Sequence, residues 1–368
     1  MVTLATFNAN NLFVRYRFGS TFPGAPATAA PPTPPAPASP ATTASTKFGF
    51  LPRYEDGSFE VFNAPQRELA ARTLTRGGEH PLPDLVVLQE IESLIALRVF
   101  NERYLGGHYT QALLVDSRDY RQIDVGVLAG STVQIQDVRT HVDLLAKPGE
   151  VYKPDWPWQF SRDCLEVQTR LPGGRRFTVL VNHFKSKFVQ PKKNQTKADI
   201  EAEEQLAADY RLRQARAVVG LVRARFPGTR FSKDWFAVAG DFNSLSAEAP
   251  ALEMTAAGLE DAVARLPAEE RWTEYFAGGG SVGQLDYLFL SPALAAATAG
   301  TLPHLERRGI GMREASAVDG LPLPKKVKLE VSDTQPPTST INFRFDRFPG
   351  VTSKSKASDH CPVFFDLP

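Results

Sequence analysis

Trp235-Phe236-Ala237-Val238-Ala239-Gly240-Asp241-Phe242-Asn243-Ser244 is an apolar run that turns polar at a glycine. The first half, Trp235 to Ala239, reads as a buried strand covered on both faces. Gly240 lets the chain turn tightly. At strand period Asp241 and Asn243 then share a face. A carboxylate there can orient or deprotonate a water, and the neighbouring amide can hold that water or an anionic oxygen. The plainer reading of the same residues is an Asx-turn.

The same grammar, an apolar strand delivering polar side chains at its end, recurs along the chain. Val2 to Phe7 leads into Asn8-Ala9-Asn10-Asn11, where strand period puts Asn8 and Asn10 on one side. Asp84-Leu-Val-Val-Leu-Gln-Glu90 ends in a carboxylate that needs a partner or a metal ion where it meets the core. Phe177 to Asn182 leads into His183-Phe184-Lys185-Ser186-Lys187, an imidazole and two lysines able to meet negative charge. Gly173-Gly174 predicts a hairpin between this strand and Leu165 to Arg170. Asp286 precedes the apolar Tyr287 to Leu290, and Ser358-Asp359-His360 precedes Val363 to Asp366. An Asp–His pair fixes the tautomer and raises the basicity of the imidazole. Asp286 is assigned to orient His360, which leaves Asp359 for a metal. Cys361 beside His360 is not a Cys–His dyad, because adjacent strand residues point to opposite faces.

The other elements are few. Ile123 to Leu128 is a further strand candidate and Pro65 to Thr75 is helical in character. Asp199 to Phe226 reads as a long helix with Leu206, Tyr210, Ala217, Leu221 and Val222 on one face. Thr21 to Thr46 is nearly all Ala, Pro, Thr and Ser. Its eight prolines exclude a core strand or helix and predict a surface insertion. A second irregular insertion spans about 320–356, with one exposed hairpin in which Thr340 to Phe345 is a strand. Strands dispersed through all 368 residues favour one α/β domain over two.

Bulk properties narrow the function classes. A net charge of +1 gives no global basic field, and any nucleic-acid contact must rest on local charge. Two cysteines cannot build a disulfide scaffold. No apolar run reaches membrane-span length and no secretory leader is legible, so a cytoplasmic protein is expected; a monomer is expected as well. Zinc-type Cys/His spacings, a Walker loop and a dinucleotide fingerprint are missing from the sequence.

Taken in order, F-N-A-N, L-Q-E, N-H-F-K-S, G-D-F-N-S, L-D-Y and S-D-H resemble the motifs of the endonuclease/exonuclease/phosphatase family. They cover the chain from Asn8 to Asp366. The resemblance implies a four-layer α/β sandwich of two packed mixed sheets flanked by helices, with the site at one end of the sheets. It implies Mg²⁺ or Mn²⁺ bound by Asn10 and Glu90 with Asp359 nearby. Asp241 would activate the attacking water, Asn8 and Asn243 would hold phosphate and water, His183 would assist the phosphate or leaving group, and Asp286 would orient His360. Asn10 departs from the pattern, since several relatives carry Asp there; a neutral ligand lowers the charge of the site and weakens metal binding. N-H-F-K-S-K followed by a long helix is most similar to the bacterial nuclease branch. Lys185, Lys187, Lys192, Lys193 and Lys197 would then form a phosphate-contacting strip, with Lys185 nearest the site. The expected reaction is phosphodiester hydrolysis on DNA or RNA; the alternative is a phosphatase or phospholipase acting on inositol phosphates or phospholipids.

Overall fold

The computed structural model describes residues 1–13, 16–18, 59–61, 64–153, 155–189, 193–312, 317–318, 321–322, 325–331, 339–343 and 346–368. Two six-stranded mixed sheets dominate. The first runs His304–Leu305, Val363–Leu367, Val2–Leu12, Leu85–Ile91, Asp124–Ala129, Gln111–Leu114. The second runs Glu260–Asp261, Asp286–Leu290, Phe236–Asp241, Arg176–His183, Leu165–Arg170, Gln134–Arg139. Each sheet has one parallel pair at its centre, Val2–Leu12 with Leu85–Ile91 and Arg176–His183 with Phe236–Asp241; the other pairings are antiparallel.

Strand alternation explains the layers. Val2, Leu4, Leu85 and Val87 of the first sheet pack against Val179, Val181, Ala237, Ala239, Leu288 and Leu290 of the second in one shared core. The alternate residues face outward. Phe7, Val86 and Leu88 pack on helices Ala64–Leu74 and Leu94–Tyr104. Leu180, Val238 and Phe289 pack with residues of helices Lys197–Arg225 and Ala249–Ala256. The order helix, sheet, sheet, helix is the expected four-layer α/β sandwich. With both faces of each central strand covered, these strands read as continuous apolar runs rather than alternating ones.

Two expectations are corrected here. The buried stripe of the long helix is Ala207, Tyr210, Arg211, Gln214, Ala215, Val218 and Val222, whereas Leu206, Ala217 and Leu221 are only half-buried. Hydrophobicity misplaced the stripe because two polar residues, Arg211 and Gln214, belong to it. Gln214 is buried for a reason: its Oε1 accepts from the Lys185 backbone N–H at 2.9 Å. The hairpin of the second irregular region also does not stand alone. Lys325–Glu330 and Ser339–Phe343 pair with each other, and Lys325–Glu330 joins Ser281–Gly283 and Glu274–Phe276 in a third, four-stranded sheet. Thr21 to Thr46 lies outside the described residues. The strands Tyr16–Phe18 and Phe59–Val61 on either side of it pair antiparallel.

Gly240 is required by close backbone approach. It has φ 131°, and a Cβ there would lie 1.9 Å from the carbonyl oxygen of Asn182, its register partner. Gly240→Ala is expected to cost roughly 3 kcal/mol or more of stability. Urea unfolding measures this, and an unchanged midpoint with unchanged slope would contradict the contact.

Candidate active site

The period-two argument that builds the core also builds the site. The inward faces of four strands continue past the apolar core into Asn8, His183, Asp241 and Asp286, each at the same end of the inter-sheet gap. Asp241 is the register partner of both His183 and Asp286. All four side chains are buried.

Asp241 is the hub. Its Oδ2 accepts from Asn8 Nδ2 at 2.9 Å and from Asn243 Nδ2 at 3.2 Å, and its Oδ1 accepts from the Asn243 backbone N–H at 2.7 Å. His183 Nε2 lies 3.6 Å and His360 Nε2 3.9 Å from the same Oδ2. Asp286 Oδ2 sits 2.7 Å from His360 Nδ1. Thr273 Oγ1 fixes the start of that strand by accepting from the N–H groups of Leu285 and Asp286. Ser358 Oγ ties the two chain ends together, donating to Asn8 O at 2.8 Å and accepting from His360 N at 3.0 Å.

Electrostatics separates the two histidines. Burial, with the guanidinium groups of Arg162 and Arg121, holds His183 well below its ordinary value, so it is neutral. Burial opposes protonation of His360 too, but the carboxylates of Asp286, Asp241 and Asp359 carry it well above its ordinary value. Burial pushes the Asp241 carboxyl up to about 7, against the pull of His360. These neighbouring groups are tuned in different directions, as acid–base sites require.

Glu90 reaches the cluster by an irregularity. Strict alternation after Val86 and Leu88 would turn it outward. Instead it takes φ 64°, and the register with the neighbouring strand shifts between Gln89 and Ile91. The result leaves Glu90 Oε1 at 3.5 Å from Asn8 Nδ2 and 3.9 Å from His183 Nε2. A positive φ at a glutamate costs on the order of 1 kcal/mol or more, and such strain concentrates at functional sites. Burial and the Asp359 carboxylate both raise the Glu90 carboxyl. Its nearest ionisable partner among the described residues is a neutral imidazole. Two carboxylates close enough to repel suit a divalent cation, which would relieve both the repulsion and the desolvation. Asp359 keeps an ion pair to Lys356 Nζ at 3.5 Å.

The strand geometry expected at Asn10 is the part that differs. Asn10 and Asn11 have φ 47° and 63°, which breaks the strand period, so Asn8 and Asn10 do not simply share a side. Asn10 N instead donates to Asn8 Oδ1 at 2.9 Å, and Asn10 Oδ1 accepts from Asn11 Nδ2 at 2.9 Å. Asn243 likewise has φ 47° and closes an Asx-turn on Asp241. In both motifs the turn and the site coincide, because the turn is what presents the side chains. Oxygen and nitrogen atoms of Asp241, Asp286 and His360 also fall within 4.8 Å of one another. Within that trio Asp286 and His360 are already engaged with each other at 2.7 Å.

The lysine strip is not continuous. Lys187 Nζ pairs with Glu248 at 3.0 Å, Lys197 Nζ pairs with Glu201 at 3.4 Å, and Lys192 lies outside the described residues. Lys185 is half-buried near the site, its Nζ donating to Ser186 O. The cations that matter were not legible in the sequence. Arg162 is fully buried, with Nε 3.0 Å from Asp119 Oδ2 and Nη1 donating at 2.7 Å to Phe184 O, the carbonyl that also accepts from Asn243 Nδ2. Glu274 was missed as well. It bridges to His360 through the backbone, and burial pushes its carboxyl up to about 8, against the pull of His360. Only the third sheet brings it there. An arginine between Phe160 and Cys164, on the approach to a buried strand, was the one available signal for Arg162.

No protein-family model and no curated protein matches the sequence. Solved structures that match this chain are numerous but distant. An endonuclease/exonuclease/phosphatase family protein from Bacteroides thetaiotaomicron has TM-score 0.45 and 13% identity, covering 99% of this chain and 96% of that one. Sphingomyelinase C from Streptomyces griseocarneus has TM-score 0.48 and 16% identity, over 100% and 99% of the two chains. D. rerio TDP2, complexed with a single-strand DNA product, has TM-score 0.48 and 13% identity, over 99% and 97%. Many of the structural neighbours have the endonuclease/exonuclease/phosphatase fold. Similarity at this level says nothing about substrate. Among the described residues no helix is long and apolar enough to cross a membrane.

Proposed function

We propose that this chain is a member of the endonuclease/exonuclease/phosphatase family and hydrolyses phosphodiester bonds in DNA or RNA, with a divalent cation held by Glu90 and Asp359 and assisted by Asn10. The reading rests on one observation above the rest: Asp241 Oδ2 is a single buried carboxylate oxygen surrounded by Asn8, Asn243, His183 and His360. A phosphate set against this cluster meets amide donors on one side and a protonated His360 on the other. Asp241 takes a proton from the attacking water, and Asn243 and Asn8 hold its carboxylate at the angle that water needs. His360, kept protonated by Asp286, stabilises charge on a phosphoryl oxygen as the bond to phosphorus forms. Neutral His183 donates a hydrogen bond toward the phosphate or the leaving oxygen; as the P–O bond to that oxygen breaks, it takes up a proton from solvent, and Asp241 later returns to solvent the proton it took from the water. A bound Mg²⁺ or Mn²⁺ would supply Lewis-acid neutralisation of the phosphate oxygens.

Plasmid DNA incubated with Mg²⁺ is expected to be nicked, EDTA to stop the nicking, and Mg²⁺ or Mn²⁺ in excess to restore it. Glu90→Gln removes the more buried of the two cation-facing carboxylates. It is expected to raise the Mg²⁺ concentration for half-maximal rate by roughly ten-fold or more. Activity untouched by EDTA would exclude the cation. Phosphate release from inositol polyphosphates without DNA nicking would move the reading to the phosphatase class.

A further inference from the structure

A cavity of about 460 Å³ opens beside the site. Five aromatic residues contribute to its walls: Tyr120, Tyr152, Trp156 and Phe188, with Tyr210. Two of these rings are unusually wet for their size, Tyr120 at 88% and Phe188 at 70% exposed. The inner wall is rigid. Tyr152 stacks on Tyr210 with centroids 4.4 Å apart, and Trp156 Nε1 donates to Tyr210 Oη at 3.1 Å. Arg121, Arg162 and Lys185 also line it, and all three disfavour protonation of the nearby His183. Arg162 shares the Phe184 carbonyl with Asn243, and Lys185 follows His183 by two residues, so the cavity and the catalytic cluster are contiguous. With Lys153 the lining holds four cations against two carboxylates, Asp155 and Asp119, and Asp119 pairs with Arg162 at 3.0 Å and Arg121 at 3.6 Å. Ser161 Oγ is buried in the lining with no hydrogen-bond partner among the described residues.

We infer that this cavity is a nucleobase subsite, holding the base next to the scissile phosphate between the rings of Tyr120 and Phe188. The inference rests on the phosphodiesterase reading and deepens it by assigning the place where the base beside the scissile phosphate is held. A planar base offers faces to rings of this kind whatever its sequence. The cations then meet the phosphate attached to it. The orphaned Ser161 hydroxyl is a partner for a polar edge, which an alkyl chain does not have. The volume suits one nucleoside-sized group rather than an extended chain.

The test compares binding of adenosine 5′-monophosphate and ribose 5-phosphate to the full chain by calorimetric titration, alongside cleavage of a dinucleotide and its abasic counterpart. The base is expected to improve affinity by about ten-fold or more. In the double variant Tyr120→Ala with Phe188→Ala the preference is expected to fall to near one. Tyr120→Phe with Phe188→Tyr, which keeps both rings, is expected to retain it. Equal affinity for the two phosphates, binding of neither, or a preference unchanged in the alanine variant overturns the subsite. A base preference lost with the rings, in a protein that cleaves no phosphodiester, supports the subsite and sinks the nuclease reading. DNA cleavage with no base preference does the reverse.

Discussion

Asp241→Ala is expected to slow phosphodiester hydrolysis by roughly 1,000-fold or more, with a smaller change in KM. The expectation follows from what the carboxylate touches. Oδ2 gathers two amide donors and lies within 4 Å of two imidazoles, and Oδ1 is held by the Asn243 backbone. Removing it takes away the base and frees Asn8 and Asn243 from the positions they hold through it. The variant must still fold, which far-ultraviolet circular dichroism and a urea midpoint would establish. Asp241→Asn separates the roles, keeping shape and one acceptor oxygen while losing the charge. It is expected to be nearly as slow as the alanine variant. A folded Asp241→Ala protein that turns over within a few-fold of the parent would remove Asp241 from the chemistry and with it the proposed mechanism. The carboxyl is pushed up to about 7 by burial, so activity should rise as pH passes upward through this region. A cation on Glu90 and Asp359 favours the ionised form, which brings the acid limb to about 7 or below.

The second large effect is expected at His360. His360→Ala should lose roughly 100- to 1,000-fold, the ordinary loss for a positioned proton donor or charge stabiliser. Asp286→Asn tests why the imidazole is charged. His360 is held well above its ordinary value with Asp286 as the foremost raising partner at 2.7 Å. The protonated form is therefore present below that raised value and is lost as pH climbs through it. Taking away the Asp286 charge lowers the value, so the alkaline fall in kcat should move to lower pH while the acid limb stays with Asp241. A pH–rate profile with an unmoved alkaline limb would show that Asp286 has a structural role only.

Most of the frame was legible because it is made of local patterns. Leu85–Ile91, Phe236–Asp241 and Asp286–Leu290 are apolar runs closed by polar residues, and a strand covered on both faces must look like that. Asn8, His183, Asp241 and Asp286 could be picked out because period two carries an inward face straight from the core into the site. Where the period breaks, reading failed or succeeded by luck. Asn10 was placed on the Asn8 face by a strand geometry that its φ of 47° does not have. Glu90 was found from its place at a strand end, yet its direction depends on a bulge that no local signal announces.

The sequence by itself determined the strands covered on both faces and the polar residues at their ends, because both follow from alternation along single strands; the four-layer sandwich and the gathering of those ends at one edge were implied by the family resemblance. Only the tertiary structure decided how those ends are used. It brought Asn8 to Asp241 across 233 positions of chain, and Ser358 to Asn8 across 350. It set Arg162 and Arg121 beside Lys185, brought Glu274 to His360 through a third sheet, and assembled separate tyrosine, tryptophan and phenylalanine residues into one cavity. The physical reason is the range of each effect. Periodicity acts over a few residues, whereas burial, ion pairing and shifts of protonation depend on which distant groups share one low-dielectric space.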